Sequence, residues 1–170
     1  MIVVADAPPL LYLSRLDRLD LIEAVYGEVV VPRTVWQELV VARPDAPGVE
    51  ALKTATFISV SSRAERHGVP ESLTDALDAG EAAAICLAEL ESADLLLIDE
   101  RKGRKVAEGR GLRVRGTLST VVEARRLGAI ASVRPVLDAL AAVGFRVSPA
   151  LVRWAVNQAG EGSAGPSAPG

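Results

Sequence analysis

The chain has 170 residues, 49% apolar and 24% charged, which suits one soluble domain with its own hydrophobic core. A net charge of −3 excludes a globally basic nucleic-acid binder, and 4% aromatics argues against base stacking as the main way of holding a strand. One cysteine, Cys86, excludes an internal disulfide, and an N-terminal apolar run broken by Asp6 and two prolines fits neither a signal peptide nor a membrane span, so a cytoplasmic protein is expected.

In chain order, residues 1–5 read as a buried strand and 9–25 as a helix with leucines at helical spacing, stopped by Gly27. "EVVVP" (28–32) is a second strand whose Pro32 opens the helix "RTVWQELVVA". "RPDAPG" (43–48) breaks the chain and "VEALKTA" forms a helical turn or two before the β-branched strand "TFISVSS" (56–62). Residues 63–74 are polar and irregular. Residues 75–91 are an alanine-rich helix with Asp78 as an N-cap candidate, and "ADLLLIDE" (93–100) is the strongest buried strand. A basic helix, "RKGRKVAEGRG", a fifth strand, "LRVRG" (112–116), and three helical segments follow, with N-cap candidates Thr117, Ser132 and Ser148. Residues 1–160 thus read as one domain, and 161–170 as a flexible Gly/Ser/Pro-rich tail.

Strands that are continuous apolar runs, alternating with helices, predict an α/β fold around a mostly parallel sheet. In such sheets sites gather at the carboxyl ends of the strands. Asp6 ends the first strand and Asp99 ends "LLLID". Glu38 and Glu81 lie near the starts of helices, on the side of the sheet where those strands end. Four carboxylates there repel one another and stay ionised together only beside a cation. Oxygen ligands without histidine or cysteine favour Mg²⁺ or Mn²⁺, which is the chemistry of phosphodiester hydrolysis. The carboxylates are therefore expected to converge, and at least one to have a raised pKa.

The stretches "VVADAPPLLYL", "VVVPRTVWQEL", "LDAGEAAAI" and "LLLIDERKGRKVA", in this order and spacing, resemble PIN-domain proteins. More narrowly, they resemble the PIN-like nucleases related to the VapC toxins of prokaryotic toxin–antitoxin pairs, from about residue 2 to about residue 159. The resemblance implies a three-layer α/β/α fold with about five strands and extra C-terminal helices. It also implies a metal-dependent endoribonuclease acting on RNA, often a homodimer and often held inactive by a small antitoxin. The family's acidic quartet falls on Asp6, Glu38, Glu81 and Asp99, with Asp6, Glu81 and Asp99 as the metal ligands. Two positions depart from the family's usual pattern. Ala7 stands where a hydroxyl residue commonly follows the first aspartate, and the third acid is Glu81 instead of aspartate. Ala7 keeps open a second reading, a catalytically weak PIN-like module that binds RNA or protein.

Each acid also has a plain structural role available. Asp6 suits a turn before Pro8, Asp99 a cap on the basic helix, Glu81 a partner of a helix dipole, and Glu38 a solvated helix face. Seven of the sixteen residues in "ERKGRKVAEGRGLRVR" (100–115) are Lys or Arg, in a chain that is acidic overall. Arg101, Lys102, Arg104 and Lys105 are therefore candidates for holding phosphates, with a solvated helix face as the alternative. His67 reads as a surface residue, Cys86 as inert core, and Trp36 and Trp154 as packing residues or parts of a dimer or antitoxin surface. A phosphatase with Asp6 as nucleophile is disfavoured, because position 8, where a second aspartate is needed, is proline.

Overall fold

The computed structural model describes residues 1–162. Strand β1 (Val3–Ala5) leads into α1 (Ala7–Arg15) and α2 (Asp20–Tyr26), and β2 (Val29–Pro32) into α3 (Arg33–Trp36). A π-helical turn, Gln37–Val41, continues α3 without a break, and α4 (Val49–Thr54) precedes β3 (Ile58–Ser61). Helices α5 (Arg63–His67), α6 (Glu71–Thr74) and α7 (Ala79–Leu90) lead to β4 (Leu95–Leu97). Then come α8 (Arg101–Gly109), β5 (Val114–Arg115), α9 (Thr117–Arg126), α10 (Arg134–Ala142) and α11 (Pro149–Gln158).

The five strands form one all-parallel sheet in the order β3-β2-β1-β4-β5. Val3, Val4 and Ala5 lie opposite Leu95, Leu96 and Leu97, so β1 and β4 are central neighbours. Both are buried on both faces, which is why they lack polar alternation. The pleat divides the core in two. Val3, Ala5, Leu95 and Leu97 pack with residues of α1, α2 and α9 to α11 on one face. Val4, Leu96 and Ile98 pack with α5 to α8 on the other. This is the expected three-layer α/β/α architecture. No helix among the described residues is long and apolar enough to cross a membrane.

Several boundaries differ from expectation for local reasons. The helix expected over 9–25 is two helices, because Asp17 takes a left-handed φ of 55° at the break. The polar stretch 63–74 holds two short helices, each with one fully buried residue, Ala64 or Leu73, as its anchor. Ser148 caps α11 as expected, its Oγ accepting from the Leu151 N–H at 3.2 Å. Ser132 does not cap α10; its hydroxyl donates to Glu161 Oε2 at 2.7 Å. Glu161 also accepts from the Val133 N–H and from Arg125, so it closes the fold at a position where composition predicts the start of the tail. Residues 163–170 of that expected tail lie outside the described residues.

Candidate functional site

Asp6 is the first residue past β1, and its backbone N–H donates to Leu97 O at 2.9 Å. Asp99 follows β4 by two residues. The two aspartates therefore emerge side by side at the carboxyl edge, as expected. By the alternation of the pleat, Asp6 falls in line with Val4, on the side of α7, and Asp99 with Leu97, on the side of α9.

Asp6 is only 2% exposed. Burial pushes its pKa up to about 8, the Ala7 backbone N–H opposes the shift, and the charges of Asp78, Glu81 and Glu38 add to it. Glu81, 5% exposed, stands in the first turn of α7. Its N–H donates to Asp78 Oδ1 at 2.8 Å, and the Asp78 N–H reaches its Oε2 at 3.3 Å, a reciprocal capping box. The N-cap reading of Asp78 is thus correct. Glu81 Oε1 is buried and has no hydrogen-bond partner among the described residues. Burial first, and then the charge of Asp78, raise the Glu81 pKa, while Lys102 opposes.

Glu38 sits in the π-helical turn, a distortion often found where a helix re-aims a functional side chain. The residue is exposed overall, yet its carboxylate lies over the backbone of Gly80. A Cβ at Gly80 would come within 2.8 Å of Glu38 Oε2. Partial burial and Asp78 raise its pKa.

Asp99 is held differently. The Thr117 N–H donates to Oδ1 at 2.7 Å and the Thr117 hydroxyl to Oδ2 at 2.6 Å. The cap of the basic helix α8 is Glu100, so the Asp99 carboxylate serves the start of α9 instead. Thr117 is fully buried at the first helical position, with Gly116, not Thr117, as the cap. Burial raises the Asp99 pKa, against the two Thr117 bonds and the Arg104 charge.

All four acids thus have raised pKa values, and none forms a salt bridge among the described residues. They do not, however, close into a ready cage: no three acidic, histidine or cysteine side chains among the described residues come near enough together to hold an ion. The expected convergence is incomplete because each carboxylate keeps a separate seat, Asp99 at Thr117, Glu81 at Asp78 and Glu38 over Gly80, as mutual repulsion favours. The residues still fit a cation that keeps much of its water. Mg²⁺ is commonly bound by one or two carboxylates, and the unpartnered Glu81 Oε1 offers a ligand with nothing else to bind. Three glycines leave room beside these carboxylates. Gly80 faces Glu38, Gly103 faces Glu81 Oε1, and Gly116 faces Asp99 Oδ1, the last two within 2.7 Å of where a Cβ would stand.

Of the basic candidates, Arg101, Lys102 and Lys105 are exposed on α8 and Arg104 is half-buried. Arg104 and Asp99 meet at Gly116, and Lys102 is near enough to Glu81 to influence its titration. Sequence reasoning missed three features: the clamp on Asp99 by Thr117, the charge of Asp78 and the seating glycines. Only the adjacency of Gly80 to Glu81 could have hinted at the last.

Residues 2–161 match the DUF3368 family, described as a PIN domain. The chain belongs to the PIN-domain family. The match covers the whole described fold apart from its two ends, and it gives the carboxyl edge of the sheet a nuclease-type context. PIN domains are generally hydrolases that cut nucleic acid with divalent metal. No curated protein matches the chain.

Proposed function

We propose that the chain is a metal-dependent endoribonuclease that hydrolyses RNA phosphodiester bonds, and that it is the toxin of a toxin–antitoxin pair. One observation carries the nuclease reading. Four acids with raised pKa values lie at the carboxyl edge of a PIN-domain sheet, and among the described residues none has a salt-bridge partner and one buried oxygen, Glu81 Oε1, has no hydrogen-bond partner.

In this reading Asp6, Glu81 and Asp99 would hold Mg²⁺ or Mn²⁺ in part through waters that the ion keeps, because no three of the acids already stand close enough to ligate it directly, and Glu38 would complete the set or hold a metal-bound water. When bound, the ion neutralises the acids and supplies activation of a water for in-line attack at phosphorus. Thr117 fixes the orientation of Asp99 through two hydrogen bonds. Arg101, Lys102, Arg104 and Lys105 hold the flanking phosphates as point charges and forks. A small antitoxin and a homodimer follow from the likeness to the VapC group, and a cytoplasmic setting from the single cysteine and the broken N-terminal apolar run.

A catalytically weak PIN-like binding module is the second reading. Ala7, which carries no hydroxyl beside Asp6, and the absence of a ready three-acid cluster among the described residues favour it. Incubating purified chain with RNA separates the two. Cleavage should require Mg²⁺ or Mn²⁺, stop with EDTA, and fall on the order of 10²-fold or more in Asp99→Asn, with RNA binding retained. Identical fragment patterns from wild type and Asp99→Asn under every metal would leave only the binding module.

A further inference from the structure

A groove of about 720 Å³ opens beside Asp99, between α1, the start of α8, the start of α9 and the turn from α10 into α11. Its composition is unlike that of the rest of the chain. The sequence has six aromatic residues, and three of them, Tyr12, Phe145 and Trp154, line this groove. Tyr12 and Phe145 meet edge to face, with ring centres 5.1 Å apart and planes at 77°, which fixes both rings. Trp154 is 40% exposed and pairs with no other ring among the described residues.

Cations share the same walls. Arg101, Arg104, Lys105 and Arg146 all line the groove, and none is in a salt bridge among the described residues. Glu100 and Glu108 are the acids there besides Asp99. An apolar partner face laid over this groove would desolvate those cations without pairing them. A polyanion carrying flat apolar rings would satisfy both sets of residues at once.

We infer that this groove is a subsite for unpaired nucleotides of a single-stranded RNA, with a base stacked on Trp154 and phosphates on Arg146, Arg104 and Lys105. It rests on the nuclease reading for the kind of nucleic acid, and it adds a seat for one base on Trp154 and a phosphate contact at Arg146, beside the acids. Stacking on an exposed ring needs a base freed from its partner, which a duplex does not offer. Because the groove and the acids share Asp99, a strand seated on Trp154 lies beside the carboxyl edge. The low overall aromatic content concealed this, since half of the rings are concentrated at one place.

The test is a fluorescence titration in a Trp36→Phe background, where Trp154 is the remaining indole, in EDTA so that no cleavage intervenes. A short oligoadenylate should quench Trp154 saturably, and a blunt RNA duplex should not. Trp154→Ala should weaken oligoadenylate binding, followed by anisotropy of a labelled strand, about five- to 150-fold. Trp154→Phe should restore most of it, and Arg146→Ala should lower the salt slope by about one. Equal binding by wild type and Trp154→Ala overturns the inference. So does a Trp154 emission that shifts with protein concentration alone, which would put a second copy in the groove. If the wild type quenches but never cleaves RNA under any metal, the nuclease reading falls and the groove stands. If RNA is cleaved while Trp154→Ala binds and cuts normally, the groove falls alone.

Discussion

The two halves of the acidic edge solve the same problem in opposite ways. On the α9 side, Asp99 is half-buried, receives two short bonds from Thr117 and faces Arg104. On the α7 side, Asp6 is buried among three further acids with only the Ala7 N–H as a named counterweight. Asp99 is therefore oriented before any ligand arrives, whereas burial and neighbouring acids disfavour the charged forms of Asp6 and Glu81. The difference follows from the pleat, which sends neighbouring strand ends to opposite helical layers. In the nuclease reading, one half of the site holds a fixed reference point and the other supplies the electrostatic demand for a cation.

That contrast can be broken at either half. Gly80→Ala attacks the α7 side. Its Cβ would come within 2.8 Å of Glu38 Oε2, so the flexible carboxylate moves while the helix stays. RNA cleavage should fall roughly 10²-fold from misplacement alone, and stability should hold or rise by up to about 1 kcal/mol, since alanine suits a helix better than glycine. A large drop in melting temperature with normal activity would show that Gly80 is structural only.

Thr117→Val sharpens the other half. It removes the 2.6 Å hydroxyl bond to Asp99 and keeps the volume. Cleavage should drop about 10-fold, as for residues that orient ligands from behind, with a stability cost of ~2 kcal/mol for a lost bond to a half-buried carboxylate. Kinetics beside a denaturant melt measure both. Unchanged activity would mean that Asp99 needs no orientation.

Much of this edge could be read in advance. "IVVAD" and "LLLID" are apolar runs ending in an acid, and a parallel sheet brings such ends together. What could not be read is which side of the sheet each acid takes, because that depends on register: Ala5 lies opposite Leu97, which puts Asp6 opposite Ile98 rather than Asp99. Thr117 was legible as a cap candidate placed after the fifth strand, but its clamp on Asp99 was not, since its hydroxyl finds a partner eighteen residues earlier in the chain. The π turn under Glu38 and the left-handed Asp17 depend on packing and leave no periodic trace. A chain average of aromatic content likewise hides where three rings, Tyr12, Phe145 and Trp154, converge.

The most direct test of the proposed cation site on the α7 side is the melting temperature from pH 5 to pH 8, with and without Mn²⁺, for wild type and Asp6→Asn. Asp6 titrates near 3.8 in the open chain and at about 8 in the fold, so the folded state binds the extra proton in between. Its contribution to stability is present at low pH and is lost as pH rises toward 8. Without metal, the wild type should therefore lose stability across this range. Asp6→Asn should melt about 5 °C higher at pH 8, ~2 kcal/mol for a chain of this size, with the difference shrinking toward pH 5. Mn²⁺ should raise the wild type at pH 8 and raise the Asn variant much less. A wild-type melting temperature that stays level or climbs from pH 5 to pH 8, and that Mn²⁺ leaves unchanged, would contradict a cation site at this edge.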